Sequence, residues 1–328
     1  MLIDNHNRPI NYLRLAVTDR CNLRCHYCMP AEGLTWLPRT ELLSYEEMVR
    51  LCTLLTNMGI NKIRITGGEP FVRKDLMMLL ESLSKLSQLK ELTLTTNGLL
   101  TAPHVPELKN FGIRSVNLSL DTIDSGRFMA ITRRNELPKV LKTLDALLNN
   151  NIKVKINAVV MDKLNTQDII PLTQMTKNLP VDIRFIEEMP FNGDGHSFSG
   201  ITWDHKHILN TIRQSFPDIQ KLKDPEFSTS YNYHIPGHQG NVGIIASYSR
   251  TFCGTCNRLR ITPEGMLKTC LYDNGVLDIK QLLRSNKSDE QVAFYISRAV
   301  ANRTIDGWET EKKSNLSNVH GSMATIGG

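Results

Sequence analysis

At 328 residues with 41% apolar side chains, the chain can bury a sizeable core and suits a barrel with an appendage. A formal charge of +6 permits an anionic partner, but the basic residues lack the clustering of a dedicated nucleic-acid binder. No apolar run approaches the ~20 residues that span a bilayer. The N-terminal MLIDNHNRPINYL lacks the basic-then-apolar layout of a signal peptide. A cytoplasmic protein is therefore expected, and its seven cysteines, in two tight groups plus one stray, read as metal ligation rather than a disulfide framework.

From residue 12 to about 186, short β-like runs alternate with helical stretches: YLRLAV (12–17), KIRIT (62–66), ELTLTT (91–96), SVNLSL (115–120), KVKINAVV (153–160) and VDIRFI (181–186). The helix between the first two opens at Ser44 with Glu47 three residues on, a capping-box signature. Six such alternations predict a parallel sheet with helices outside, and the polar or Gly-rich strand ends (TDRC, TGGE, TTNG, SLD) mark the functional rim. The stretch 187–203 ends the pattern. A helix follows near 204–215, and then NVGIIAS (241–247) and NRLRITPEGMLKTCLY (257–272) read as antiparallel strands, the second turning at Pro263–Glu264–Gly265. Two domains are expected, 1–215 and 216–328, and the small, polar final dozen residues read as a mobile tail.

Cys21, Cys25 and Cys28 in TDRCNLRCHYCMP offer three thiolates with no fourth nearby, since Cys52 falls mid-helix. A closed iron–sulfur cube takes four cysteines, so three leave one iron open to a substrate or cofactor. The alternative is a zinc knob, for which His26 is available but lies awkwardly between two cysteines. Cys253, Cys256 and Cys270 form a second triplet, which reads either as half a zinc ribbon or as another three-thiolate site closed by the hairpin. On that hairpin Arg258 and Arg260 share a face, with Leu259 opposite.

Arg14, Lys62, Arg64, Lys155 and Arg184 occupy strand interiors that a covered parallel sheet would fill with apolar residues. Inward cations need anions. Strand carboxylates such as Asp182 beside Arg184 are one source, and a polyanionic ligand such as a triphosphate is the other. After the second strand, the glycine pair in TGGEP lets the backbone approach a ligand with no Cβ in the way.

The first cysteine motif and TGGEP resemble the radical S-adenosylmethionine (radical SAM) signature. Together with RFIEEMPF (184–191), FCGTCNRLRITPEG and the terminal Gly327–Gly328, the likeness runs from about residue 2 to 328 and is to the GTP 3′,8-cyclase family of radical SAM enzymes. The resemblance implies an α/β fold: an incomplete TIM-type (βα)6 radical SAM barrel with a C-terminal antiparallel β-containing domain carrying a second cluster. It implies two [4Fe-4S] clusters, on Cys21, Cys25 and Cys28 and on Cys253, Cys256 and Cys270, with S-adenosylmethionine contacted by Tyr27, Gly68, Ser119 and Met189. GTP would meet Arg14, Arg64, Thr95, Lys155 and the run Arg258–Leu259–Arg260, with Lys62 and Arg184 lining the same cavity. Arg14, Gly327 and Gly328 would serve catalysis, the tail reaching inward. The implied reaction converts GTP and S-adenosylmethionine to (8S)-3′,8-cyclo-7,8-dihydroguanosine 5′-triphosphate, 5′-deoxyadenosine and methionine, in molybdenum cofactor biosynthesis. Implied partners are a flavodoxin-like reductant, a downstream cyclic pyranopterin monophosphate synthase and a second copy of the chain; no membrane or nucleic acid is expected. The sequence departs from the family at Lys163–Leu164–Asn165, where a Gly-containing turn is usual, and at Asn7, where Gly is usual. The rival readings are a radical SAM peptide-modifying enzyme with an auxiliary cluster, which usually has more C-terminal cysteines, and a zinc-binding regulatory protein, which leaves TGGEP unexplained.

Overall fold

The computed structural model describes residues 1–193, 200–313 and 321–327. Six strands, β1 (Tyr12–Ala16), β2 (Lys62–Thr66), β3 (Glu91–Thr96), β4 (Ser115–Ser119), β5 (Lys153–Val160) and β6 (Val181–Glu187), pair in chain order, all parallel. Alternation along each strand sends Leu13, Leu15, Ile63, Ile65, Val154, Ile156, Ile183 and Phe185 into one continuous core beneath the helices. Each such side chain contributes about 1.5–3 kcal/mol on burial. Helix α1 (Tyr45–Asn57) begins with the expected capping box: Glu47 N donates to Ser44 Oγ at 3.2 Å, and Ser44 N donates to Glu47 Oε2 at 2.7 Å. Cys52 lies on its buried face, and burial pushes the thiol up to about 12, so the stray cysteine is a core residue. Among the described residues no helix is long and apolar enough to cross a membrane.

The C-terminal part extends the same sheet rather than packing as a separate layer. Strand β7 (Ser230–His234) pairs antiparallel with β8 (Asn241–Ile245), and β8 joins β6 in parallel. At the opposite edge β9 (Arg258–Ile261) joins β1 in parallel and turns back antiparallel into β10 (Met266–Lys268). The sheet thereby reaches twelve strands among the described residues and stays open, with Leu277–Asp278 and Gln220–Lys221 at its edges. Strand β7, SYNYH, carries no apolar run, which is why periodicity alone passes over it.

The expected mobile tail is instead packed over residues 321–327. Ser322 caps the short helix Met323–Ile326, accepting from Ala324 N at 3.1 Å, and Ile326 joins Phe191 and Tyr272 in a small apolar cluster. The other departure from expectation has a physical reading. Lys163 adopts φ 60°, the left-handed region a glycine would enter at lower cost, and Asn7 does so at φ 59°. The turn at Lys163 is held by Asn165, whose Oδ1 accepts from Met161 N at 2.8 Å and whose Nδ2 donates to Asp121 O at 3.0 Å. Lys163→Gly should therefore raise stability by about 0.5–1 kcal/mol. A denaturant midpoint that does not rise would show that the turn carries no strain.

Candidate functional site

Parallel pairing in register places like positions side by side on one face. Arg260 pairs with Arg14 and Arg14 with Arg64, so three guanidiniums stand in a row across β9, β1 and β2. One rung nearer the strand N-termini stand Arg258, Tyr12, Lys62 and Glu91. Across the sheet, Lys155 pairs with Asp182 and Asn157 with Arg184.

Of these residues Arg14, Arg64, Asn157, Arg184, Arg258 and Arg260 line an open recess of about 1100 Å³ together with Cys253, Cys256 and Cys270, whereas Lys62 and Lys155 are not among its lining residues. The Nε atoms of Arg14, Arg64, Arg184 and Arg258 are buried with no hydrogen-bond partner among the described residues. Burial, with repulsion from Arg64 and Arg258, pulls Arg14 down to about 10; burial with Arg14 and Arg258 pulls Arg260 well below its usual range. Such a floor is built for an anion. Strand carboxylates account for one of the cations, Lys62, which meets Glu91 at 2.7 Å. Lys155, drawn down to about 8 by burial and by Arg184, Arg64 and Lys62, stands beside the recess. Leu259 points the other way, fully buried in the main core, so only its backbone can serve the site.

A second recess, of about 1150 Å³, holds Cys21, Cys25 and Cys28 with Tyr27, Gly68, Thr95, Ser119 and Met189. The structure thus groups Thr95 with the first cysteine set and not with the arginines. The two recesses share Asn157, Ile186, Met189 and Met323 as a common wall. A Cβ on Gly68 would lie 2.3 Å from Arg20 O, so the missing side chain there makes room for the chain leading into Cys21. Gly68 N and Glu69 N donate to Thr18 O and Arg20 O, both at 2.8 Å, fastening the TGGEP turn to the cysteine loop. Glu69 itself is fully buried and accepts from Asn97 N at 2.6 Å and Thr96 Oγ1 at 2.8 Å; burial still pushes it up to about 7. Asp121, raised to about 7 by burial, accepts from Tyr27 OH at 3.1 Å. Asn97 and Asp121 escaped sequence reading, although each lies just past a strand end, at the rim the polar termini marked.

Each triplet lines its recess, and three thiols without a fourth cysteine beside them are a donor set that would suit an iron–sulfur group with one iron left free. Among the described residues no group of three or more His, Cys, Asp or Glu side chains is arranged to hold a single metal ion. Burial pushes the thiols of Cys21 to about 12 and Cys28 to about 11. Cys256 differs: burial raises its thiol, but Arg258 and Arg303 outweigh that and bring it to about 6. Arg8, Arg250 and Arg303 also line the arginine-rich recess, and no motif drew attention to them. Arg250 is sandwiched at 3.6 Å from the Tyr272 ring and 3.8 Å from the Trp308 ring.

The tail enters from the shared wall. Ser322 Oγ donates to Cys28 O at 2.6 Å, and Arg260 Nη1 donates to Gly327 O at 2.6 Å. Gly327 has φ 86°, and a Cβ there would lie 2.8 Å from Thr66 Oγ1 and 2.9 Å from Ala16 Cβ. Gly328 lies outside the described residues.

The Radical SAM superfamily model matches residues 15–175, and the model named Molybdenum Cofactor Synthesis C matches residues 181–307. Molybdenum cofactor biosynthesis protein 1 of Bos taurus is 41% identical over 303 residues, covering 92% of this chain and 48% of that protein; the chain spans about half the length of such relatives. The mitochondrial GTP 3′,8-cyclase of Arabidopsis thaliana is 40% identical, covering 92% of this chain and 77% of that protein. The GTP 3′,8-cyclase of Clostridium perfringens is 38% identical, covering 90% and 91%. Among solved structures, Streptococcus suis SuiB bound to S-adenosylmethionine shares the fold, with a TM-score of 0.64 at 15% identity over 97% of this chain and 75% of that one. From the arginine-floored recess, the two cysteine triplets and these relatives, the chain belongs to the GTP 3′,8-cyclase family of radical SAM proteins.

Proposed function

We propose that this chain is a GTP 3′,8-cyclase, converting GTP and S-adenosylmethionine to (8S)-3′,8-cyclo-7,8-dihydroguanosine 5′-triphosphate, 5′-deoxyadenosine and methionine. One observation carries the reading: two three-thiolate sites face two recesses with a common wall, and one recess has a floor of arginines with buried, unpartnered N–H groups. Membership of the radical SAM family brings a [4Fe-4S] cluster and S-adenosylmethionine. Together these supply one-electron reduction and hydrogen-atom abstraction.

In this reading Cys21, Cys25 and Cys28 hold that cluster, while Tyr27, Gly68, Ser119 and Met189 line the cofactor's recess. Cys253, Cys256 and Cys270 hold a second cluster at the end of the substrate recess. Arg14, Arg64, Arg184, Arg258 and Arg260 bind the triphosphate, and Lys155 adds its charge from one side. Met189 and Met323 in the shared wall, with their adaptable thioethers, close the space between cofactor and substrate and exclude water. Residues 1–215 supply most of the cofactor recess and of the arginine floor, and 216–328 supply the second cysteine set and the tail, with Met323 reaching both recesses. We further assign the protein to the cytoplasm as a homodimer, reduced by a flavodoxin-like donor and handing its product to a cyclic pyranopterin monophosphate synthase. Anaerobic reconstitution with iron and sulfide, followed by assay with GTP and S-adenosylmethionine, tests the activity directly.

The two triplets should separate in function. Cys25→Ser should abolish cleavage of S-adenosylmethionine. A Cys253→Ser/Cys270→Ser variant should retain some unproductive cleavage and form no cyclised product. Cyclisation by that double variant, with 5′-deoxyadenosine and product quantified side by side, would remove the second site from the reaction.

Arg64→Ala should weaken GTP binding by about 1.5–3 kcal/mol while barely touching guanosine, because it removes a charge-assisted phosphate contact. Lys62→Ala should cost much less, since Glu91 already takes that charge. Calorimetric titrations showing equal losses for both ligands in Arg64→Ala would instead mark a structural role.

Gly327→Ala should press against Thr66 and Ala16 and disturb the Arg260 contact. Product formation should fall at least tenfold while cleavage of S-adenosylmethionine continues. Full turnover by this variant would reduce the tail to a packing element.

A further inference from the structure

The two ends of the chain meet behind the second cysteine set. The Asp4 carboxylate is fully buried and holds two guanidiniums, its Oδ2 lying 2.6 Å from Arg8 Nε and 3.7 Å from Arg303 Nη1. Arg8 donates to Cys253 O at 2.9 Å, Ile305 O at 2.6 Å and Thr304 O at 2.7 Å. Arg303, 4% exposed, donates from Nη1 to Cys256 O at 2.8 Å and from Nη2 to Cys256 Sγ at 2.9 Å. One carboxylate thereby orients an arginine onto the main chain of Cys253 and another onto both the main chain and the sulfur of Cys256.

At the first cysteine set the groups that meet sulfur are uncharged: Leu23 N at 3.4 Å and Asn97 Nδ2 at 3.7 Å from Cys21 Sγ, the Tyr27 hydroxyl at Cys25, and Ser322 Oγ 3.9 Å from Cys28 Sγ. Burying three charges costs several kcal/mol in desolvation, and apolar packing would steady the loop as well. What apolar packing cannot do is withdraw electron density from a thiolate. We infer that Arg303 is a positioning residue that gives Cys256 sulfur a charge-assisted hydrogen bond and thereby raises the reduction potential of the iron–sulfur group held by Cys253, Cys256 and Cys270, with Asp4 and Arg8 fixing its orientation. A cation with an N–H at the sulfur favours the more electron-rich state, so the potential rises. The inference rests on the second cluster proposed above.

The test uses the full chain carrying Cys21→Ser, Cys25→Ser and Cys28→Ser, so that only the second set can hold iron. After anaerobic reconstitution, iron per chain is counted and the midpoint potential is followed by electron paramagnetic resonance during redox titration. Arg303→Gln should keep its iron and show a more negative midpoint, with Arg303→Lys in between because its charge is retained. Asp4→Asn should shift the midpoint in the same direction by less. A purely structural prop would alter iron content or melting temperature and leave the midpoint unchanged, and an unchanged midpoint at full iron overturns the inference. If Arg303→Gln holds no iron, Asp4→Asn decides, and a parent-like midpoint there overturns it equally. Absence of iron from the parent triple-serine chain would refute the second cluster itself, and this inference with it.

Discussion

The parallel register between β9, β1 and β2 is the constraint on which the rest depends. It aligns Arg260, Arg14 and Arg64 on one face of a sheet whose other face is packed with Leu13, Leu15, Ile63 and Ile65. A slip of one residue would send these arginines into the apolar core and the leucines and isoleucines into the recess. The hydrophobic core therefore does more than stabilise: by fixing the register it holds like charges together that would otherwise separate. The cost is visible in the depressed Arg14 and Arg260 and in the buried Nε atoms, which have no hydrogen-bond partner among the described residues; a bound polyanion would offset it.

Joining the C-terminal strands to both edges of the sheet explains how one chain brings two cysteine sets to bear on neighbouring recesses. Strand β9 carries Arg258 and Arg260 into line with Arg14 and Arg64, and the loop before it carries Cys253 and Cys256. On the other side β8 braces β6, whose end supplies Ile186 and, just beyond, Met189 to the wall common to both recesses. The tail closes the same wall, tied to the first cysteine loop through Ser322 and to the arginine floor through Gly327.

Charge is distributed unequally between the two cysteine sets. Buried carboxyl groups, Glu69 and Asp121, stand near the first, and burial raises its thiols. In the second, burial raises Cys253 and Cys270 as well, and Cys256 alone is lowered, by Arg258 and Arg303. The difference between the two sets is thus concentrated at Cys256, where two guanidiniums stand beside one sulfur.

Much of this was determined by the sequence alone. The six strands, the capping box at Ser44, both cysteine triplets and the inward turn of the strand arginines follow from period-two alternation, local capping chemistry and ligand spacing, all of which act over a few residues. Only the tertiary structure decided which cation is already neutralised, since the Lys62–Glu91 contact is made across neighbouring strands. It also decided that Thr95 faces the first recess and that residues 321–327 are packed. The buried clamp of Asp4, Arg8 and Arg303 was equally out of reach, because Asp4 and Arg8 stand near one end of the chain and Arg303 near the other. No local pattern records a contact of that span; it arises when folding removes water from around the charges and leaves them one another as partners.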